Sequence, residues 1–122
     1  MVQPLAIVLN DRVVIGAQLE QKLEGLDYRV KVSDNPDGLE ALAVEEKPLI
    51  VLVDLAKDSH LAAAGVLMKN PGTRHVPIVG YAPEVRPDLQ TRANQAGVSI
   101  VVTDSAILQH LKQLLDQALH VE

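Results

Sequence analysis

Five short apolar runs recur along the chain, and a longer stretch with helical spacing of apolar residues follows each. The runs span residues 5–9, 28–32, 49–53, 76–81 and 98–102. The first, third and last are continuously apolar, which is typical of parallel strands that are covered on both faces. The second, YRVKV, alternates apolar and charged residues, which indicates an edge strand with one wetter face.

Five helices are predicted between and after these strands, at residues 13–24, 36–46, 59–69, 87–96 and 105–120. Gly25 and Gly97 stand where the first and fourth would end, and Pro36 suits the first turn of the second. The last helix has the clearest apolar stripe. The fourth has the thinnest, so we expect it to be the most loosely held.

The alternation of strands and helices predicts one α/β domain over residues 1–122. A (βα)5 chain with right-handed crossovers forms a three-layer structure, in which helices cover both faces of a five-stranded parallel sheet. A chain of 122 residues suits one hydrophobic core. With two Tyr and no Phe or Trp, that core must be aliphatic.

Composition excludes several classes of function. A net charge of −5 argues against binding to nucleic acid or to an anionic membrane. The absence of Cys excludes disulfides and thiolate chemistry. The N-terminus matches neither a signal peptide nor a membrane span, so we expect a cytoplasmic protein. No set of base, nucleophile and orienting residue is visible, and we therefore do not expect an enzyme.

Candidate site residues follow the ends of the predicted strands, because ligands of open parallel sheets bind at the carboxyl edge. Asp54 is the most notable, since it directly follows a run that is predicted to be buried on both faces. The residues at this edge are Asn10 and Asp11 after the first strand, Asp54 after the third, Ala82 after the fourth, and Thr103 and Asp104 after the fifth.

Over nearly its full length the chain resembles the receiver domain of two-component response regulators. The resemblance rests on AIVLNDR, on NPDGLEALAVEEKPLIVLVD and on LMKNPGTRHVPIVGYA. It implies a flavodoxin-like, CheY-like fold with strand order 2-1-3-4-5 and a role in a phosphorelay. It also implies an Asp that accepts a phosphoryl group with the help of Mg²⁺, a Ser or Thr hydroxyl and a Lys.

The resemblance places Asp54 at the phospho-acceptor position. Asp11, Asp54 and the Ala56 carbonyl would hold Mg²⁺, the only cofactor that these residues suggest. The other positions depart from the family pattern: Asn10 replaces an acid, Ala82 the hydroxyl residue, Asp104 the Lys, and Asp58 the Pro that usually stands four residues after the acceptor.

The departure that affects phosphorylation most is Asp104, which stands where the family pattern has a Lys. Two unit charges about 4 Å apart interact by roughly 4 kcal/mol at an effective dielectric constant near 20, so this change turns attraction into repulsion. We therefore predict a degenerate pseudo-receiver, with phosphorylation of Asp54 impaired or absent, that signals through protein contact and requires no cofactor.

Simpler interpretations stay open for each residue. Asp54 could be a structural carboxylate that accepts loop N–H groups, and Asp11 could cap the first helix. Asp104, Thr103 or Ser105 could cap the last helix. The four histidines are scattered over different elements and show no zinc-binding pattern; they are His60, His75, His110 and His120.

The expected partner is a protein: a histidine kinase, an effector or a second copy of the chain. The resemblance implies contact through the face formed by helix 4, strand 5 and helix 5. Arg86, Gln90, Arg92 and Gln95 could contribute to that surface or form an ordinary solvated face. Two other functions remain open: an atypical Mg²⁺-dependent phospho-receiver that uses Asp54, and a small-ligand binder at the strand ends.

Overall fold

The computed structural model describes residues 3–119, which form a five-stranded sheet with helices on both faces. The strands are β1 (Leu5–Leu9), β2 (Arg29–Ser33), β3 (Ile50–Asp54), β4 (Ile78–Ala82) and β5 (Ile100–Thr103). The helices are α1 (Val13–Gly25), α2 (Leu39–Glu46), α3 (Asp58–Lys69), α4 (Pro87–Ala96), α5 (Asp104–Gln109) and α6 (Leu111–Leu119), and a 3₁₀ turn (Pro36–Gly38) precedes α2.

All neighbouring strands are parallel, and their order is β2-β1-β3-β4-β5. The predicted CheY-like, flavodoxin-like architecture is therefore confirmed. The chain crosses from β2 on one side of β1 to β3 on the other, which makes the β1–β3 junction the switch point of the sheet. Asn10 leaves β1 at that point, and Asp54 ends β3 beside Tyr81 of β4.

Two aliphatic clusters form the core, one on each face of the sheet. Helices α2, α3 and α4 cover the face that carries Ile7, Leu9 and Val53. Helices α1, α5 and α6 cover the other, which carries Val8 and Leu52, because successive residues of a strand point to opposite faces. Among residues 3–119, Tyr81 is the one aromatic side chain that is fully buried.

The two edge strands differ in how well their burial was predicted. Strand β2 has mostly exposed residues, which confirms its interpretation as a wet edge. Strand β5 was predicted to be covered on both faces, and this is wrong: all four of its residues are half-buried. The reason is its position, since β5 has a neighbour on one side only.

The last predicted helix is divided into α5 and α6 at His110. The backbone there leaves the helical region, with φ −123° and ψ 29°. The break is a kink, because the His110 N–H still donates to the Ala106 carbonyl and the Leu114 N–H to that of His110, at 2.9 Å each. It keeps Ile107 and Leu111 in the same buried cluster. The predicted end of this helix at His120 lies outside the described residues.

Helix α4 ends as the sequence indicated, at Gly97. That residue has φ 91°, in the left-handed region that favours glycine. Ala93 is the one fully buried residue of α4, in keeping with its thin apolar stripe. Between residues 3 and 119 the structure contains no helix with the length and apolar character that a membrane crossing requires.

Candidate functional site

The Arg12 guanidinium lies between two carboxylates at the switch point. Its Nε and Nη2 donate to Asp54 Oδ2 and Oδ1 at 2.7 and 3.0 Å. Its Nη1 and Nη2 donate to Asp104 Oδ2 and Oδ1 at 2.7 and 3.0 Å. Both pairs are bidentate, the arrangement in which a planar guanidinium binds carboxylates most strongly. Hydrogen bonds to Asp104 and then to Asp54 raise the pKa of Arg12, so the bridge is held by a permanent cation.

The backbone after β1 places this guanidinium. Arg12 is extended immediately before α1, and its carbonyl accepts from the Gly16 N–H at 3.0 Å and from Asn10 Nδ2 at 2.6 Å. A Cβ on Gly16 would collide with the Asn10 amide, so the helix can approach this closely only with glycine there. Asn10, Gly16 and the start of α1 thus fix the position from which Arg12 reaches the sheet edge.

Asp54 is wholly buried and fully hydrogen-bonded by the protein itself. Its side chain has 0% exposure, and besides Arg12 its carboxylate accepts from the Ala56 N–H at 2.9 Å. The Asp54 carbonyl lies 2.8 Å from Nδ1 of buried His60, and because a carbonyl only accepts, that nitrogen carries the proton. Asp54 thus accepts one loop N–H, that of Ala56, as the simpler interpretation expected in kind.

Tyr81 and Asn10 are bonded to each other, and both contact Arg12. The Tyr81 hydroxyl donates to Asn10 Oδ1 at 2.9 Å, and the ring centroid lies 5.8 Å from Arg12 Cζ, within cation–π range. Burial, followed by the negative charge of Asp54, raises the pKa of Tyr81, so its hydroxyl stays a donor. Asn10 thus links the Tyr81 hydroxyl to the Arg12 backbone carbonyl.

Asp11 is paired with a second cation, Lys57, which stands three residues after Asp54. The hydrogen bond from Lys57 lowers the pKa of Asp11, and the same contact raises that of Lys57. The hypothesis that Asp11 caps α1 is wrong, because the capping position is Arg12 and no side chain accepts a bond there.

Thr103 caps α5, which settles the choice among three candidate residues. Its hydroxyl accepts from the Ala106 N–H at 3.2 Å. Asp104, at the first position of α5, turns its carboxylate to Arg12 instead, with 24% of its side chain exposed.

The donor set in this arrangement does not fit a resident Mg²⁺. A hard divalent cation needs free carboxylate oxygens, and the two carboxylates proposed as its ligands are each bound to a cation of the chain, Asp54 to Arg12 and Asp11 to Lys57. Between residues 3 and 119 no group of three or more Asp, Glu or His side chains is placed to hold a metal. The observed contact of Ala56 with Asp54 is through its N–H, and buried Ala82 offers no hydroxyl at the end of β4.

Sequence reasoning missed Arg12 and Lys57. The receiver resemblance places a Lys near residue 104, so a cation was expected only there. The available signal was electrostatic: three carboxylates follow strand ends at one edge, and a buried carboxylate requires a partner. Arg12 and Lys57 are the basic residues that stand closest in sequence to the acids at positions 11 and 54.

The side chains around α4 that were suggested as a partner surface mostly form ion pairs or hydrogen bonds with other residues of this chain. Arg92 pairs with Asp58 of α3 at 2.9 Å, and Arg86 pairs with Glu84 at 3.6 Å. Gln90 Nε2 donates to Asn94 Oδ1 at 3.1 Å, one turn along the same helix.

Neither a protein-family model nor a curated protein sequence matches the chain. Solved structures do match its fold. The signal receiver domain of a modulated diguanylate cyclase from Desulfovibrio desulfuricans G20 is 23% identical, with a TM-score of 0.82 over 98% of this chain and 95% of that one.

Two further structures extend the similarity. The receiver domain of a sensor histidine kinase from Pseudomonas aeruginosa, with a magnesium ion coordinated in its active site cleft, is 18% identical, with a TM-score of 0.86 over 97% of this chain and 98% of that one. A chemotaxis protein of Vibrio cholerae, CheY4, is 13% identical, with a TM-score of 0.87 over 96% and 99%. The chain therefore has the fold of response-regulator receiver domains.

Proposed function

We propose that this chain is a receiver-like signalling domain that acts in the cytoplasm by protein contact, as a pseudo-receiver without phosphorylation of Asp54. It is not an enzyme in this proposal. The observation that carries it is the bridge from Arg12 to Asp54 and Asp104. The receiver fold of the structural neighbours supports the signalling role.

Phosphorylation would require Arg12 to leave. An acyl phosphate forms when a carboxylate oxygen attacks phosphorus, and Arg12 donates to both oxygens of Asp54. Without the guanidinium, buried Asp54 would lie near Asp104 with the charge of both uncompensated. Loss of the cation from buried Asp54 would cost about 2–4 kcal/mol, a range lowered for the 31% exposure of the Arg12 side chain. The chain offers neither a hydroxyl at position 82 nor a Lys at position 104 to offset that cost.

A resident Mg²⁺ is likewise unnecessary in this proposal. The positive charge that a metal would bring to the acidic edge is already supplied by Arg12 and Lys57. The magnesium ion of the Pseudomonas aeruginosa domain therefore has no required counterpart here.

For the contact surface we propose the face formed by α4, β5 and α5. Strand β5 supports it, since this edge strand has half-buried side chains and, on one side, backbone groups that no other strand within residues 3–119 pairs. The partner is a histidine kinase, an effector or a second copy of the chain. The paired Arg86 and Arg92 would then contribute little to recognition, and β5 would contribute more.

Acetyl phosphate with Mg²⁺, followed by intact-protein mass spectrometry, tests the proposal. We expect no phosphoryl adduct on the wild-type chain under conditions that modify a receiver with the complete residue set. An adduct that is absent from Asp54→Asn would overturn it and would favour the atypical phospho-receiver. The same experiment on Asp88→Asn, an exposed acid on α4, controls for modification at the surface.

A further inference from the structure

A cavity of about 700 Å³ lies at the amino ends of the strands, the edge opposite to Asp54. That volume is within the usual range for small-molecule sites, about 300–1,000 Å³. Its apolar lining includes Leu5, Met68 and Leu49, and Leu49 is one of the large apolar side chains that the fold leaves exposed, at 44%. An exposed apolar side chain inside a concave surface is available to a ligand.

Prolines stiffen this cavity. Pro4, Pro48 and Pro77 stand just before β1, β3 and β4, and all three line it. A proline fixes φ near −65° and has no N–H, so these positions are rigid and offer no unpaired donor. The backbone at these three positions therefore has little freedom to lose, which lowers the entropic cost of binding.

The charged side chains of residues 3–119 that line the cavity are all basic. Arg29, Lys47 and Arg74 line it together with His75, and among residues 3–119 no carboxylate does. None of these three cations forms an ion pair with a residue of that range, although the chain has a net charge of −5. At the opposite edge the cations Arg12 and Lys57 are both paired. Within the described part of the chain, positive charge without an ion-pair partner is thus concentrated around this cavity.

We propose that this cavity binds a small amphipathic anion, with an apolar body on Leu49 and Met68 and a carboxylate or similar anionic group among the basic residues that line it. Charge complementarity selects an anion, and the apolar lining selects a ligand with a hydrocarbon part. The site lies at the other end of the sheet from Asp54, so this proposal does not depend on the proposed function.

The test uses decanoate, below its micelle concentration, and ¹⁵N-labelled protein. We expect saturable amide shifts that cluster at Leu49, Val76 and Ser99, which line the cavity. Decyltrimethylammonium, of the same chain length and opposite charge, should bind at least about tenfold more weakly, because it meets repulsion from three cations. Acetate, which lacks the apolar body, should give no saturable shifts.

The variants separate this site from general attraction to positive charge. Arg29→Gln with Arg74→Gln should raise the Kd for decanoate about tenfold, because two of the three cations that line the cavity are removed. Lys22→Gln with Lys112→Gln removes the same charge from two exposed lysines outside the cavity and should leave Kd unchanged. Arg74→Gln alone should give a smaller loss, and the amide spectrum reports whether each variant is folded.

Three results would overturn the proposal. These are decanoate shifts that are unsaturable or scattered over the surface, equal binding of the cationic probe, and equal losses in the two double variants. Each of them would leave the phosphorylation test at Asp54 unaffected.

Discussion

Arg12 and Asp54 form a bidentate ion pair across the carboxyl edge of the sheet, with N–O distances of 2.7 and 3.0 Å. One partner stands at the start of α1 and the other at the end of β3, so the pair joins the two sides of the switch point. Asp104 adds the start of α5 to the same guanidinium. The cation that neutralises these two carboxylates therefore comes from the segment that follows β1.

Replacement of Arg12 by Gln should destabilise the fold by about 2–4 kcal/mol, because it leaves buried Asp54 and partly exposed Asp104 without a cation. The lower end of that range allows for the 31% exposure of the Arg12 side chain. Urea unfolding at neutral pH measures the loss. Arg92→Gln is the matched control: its pair with Asp58 is exposed by 47% and 87%, so it should cost less than about 1 kcal/mol. Equal losses would contradict the assigned role of Arg12.

Removal of the Tyr81 hydroxyl should cost about 1–3 kcal/mol, because Tyr81→Phe leaves Asn10 Oδ1 buried without its donor. Tyr28→Phe is the control, since the Tyr28 hydroxyl has no hydrogen bond among residues 3–119 and its loss should cost less than about 0.5 kcal/mol. Unfolding free energies of the two variants decide the point, and a Tyr81→Phe protein as stable as Tyr28→Phe would contradict it.

Asp11 should make stability depend on pH in the acid range. Lys57 lowers the folded-state pKa of Asp11 below its ordinary value of 3.8, so the pair's contribution is present above that value. It is lost as the pH falls through the lowered pKa. The difference in unfolding free energy between wild type and Asp11→Asn should thus be constant from pH 7 to about pH 5 and then shrink toward pH 3. A difference that grows in acid would reverse the assigned sign.

Substitution by Ala should change the free energy of unfolding differently at two glycines of α1. Gly16→Ala places a Cβ against the Asn10 amide and should cost about 1–3 kcal/mol through overpacking. Gly25→Ala meets no atom within 4 Å and should be neutral or stabilise by up to about 1 kcal/mol, because Ala loses less entropy in a helix. Urea unfolding compares them. Equal changes in unfolding free energy would contradict the claim that α1 can approach Asn10 this closely only with glycine at position 16.

The sequence predicted the fold well because the apolar pattern is strong. The five strands, their parallel sheet and the wet edge at β2 all follow from runs whose period and burial agree. The half-burial of β5 was missed because its coverage was predicted from the apolar run alone, although the strand order that the resemblance implied already placed β5 at an edge. The kink at His110 was missed because the stripe of apolar residues continues through it.

The sequence predicted where the candidate site lies in the fold, but it did not predict which side chains bond to each other there. Asp54 and Asp104 do lie at one edge of the sheet. Which cation neutralises them depends on how far a side chain reaches across strands, and no local pattern encodes that distance. Arg12 was thus visible in the sequence, and its two carboxylate partners, 42 and 92 residues away, were not connected to it.

The most direct measurement follows the Arg12 side chain itself. The Nε–H of an arginine held between two carboxylates exchanges slowly, so it should give a distinct ¹H–¹⁵N resonance that disappears in Arg12→Gln. We expect this resonance and the Ala56 amide to stay unchanged when Mg²⁺ and beryllofluoride are added together, because Arg12 keeps both oxygens of Asp54. A saturable shift of both signals that is absent from Asp54→Asn would contradict the proposal that Asp54 is closed to phosphorylation.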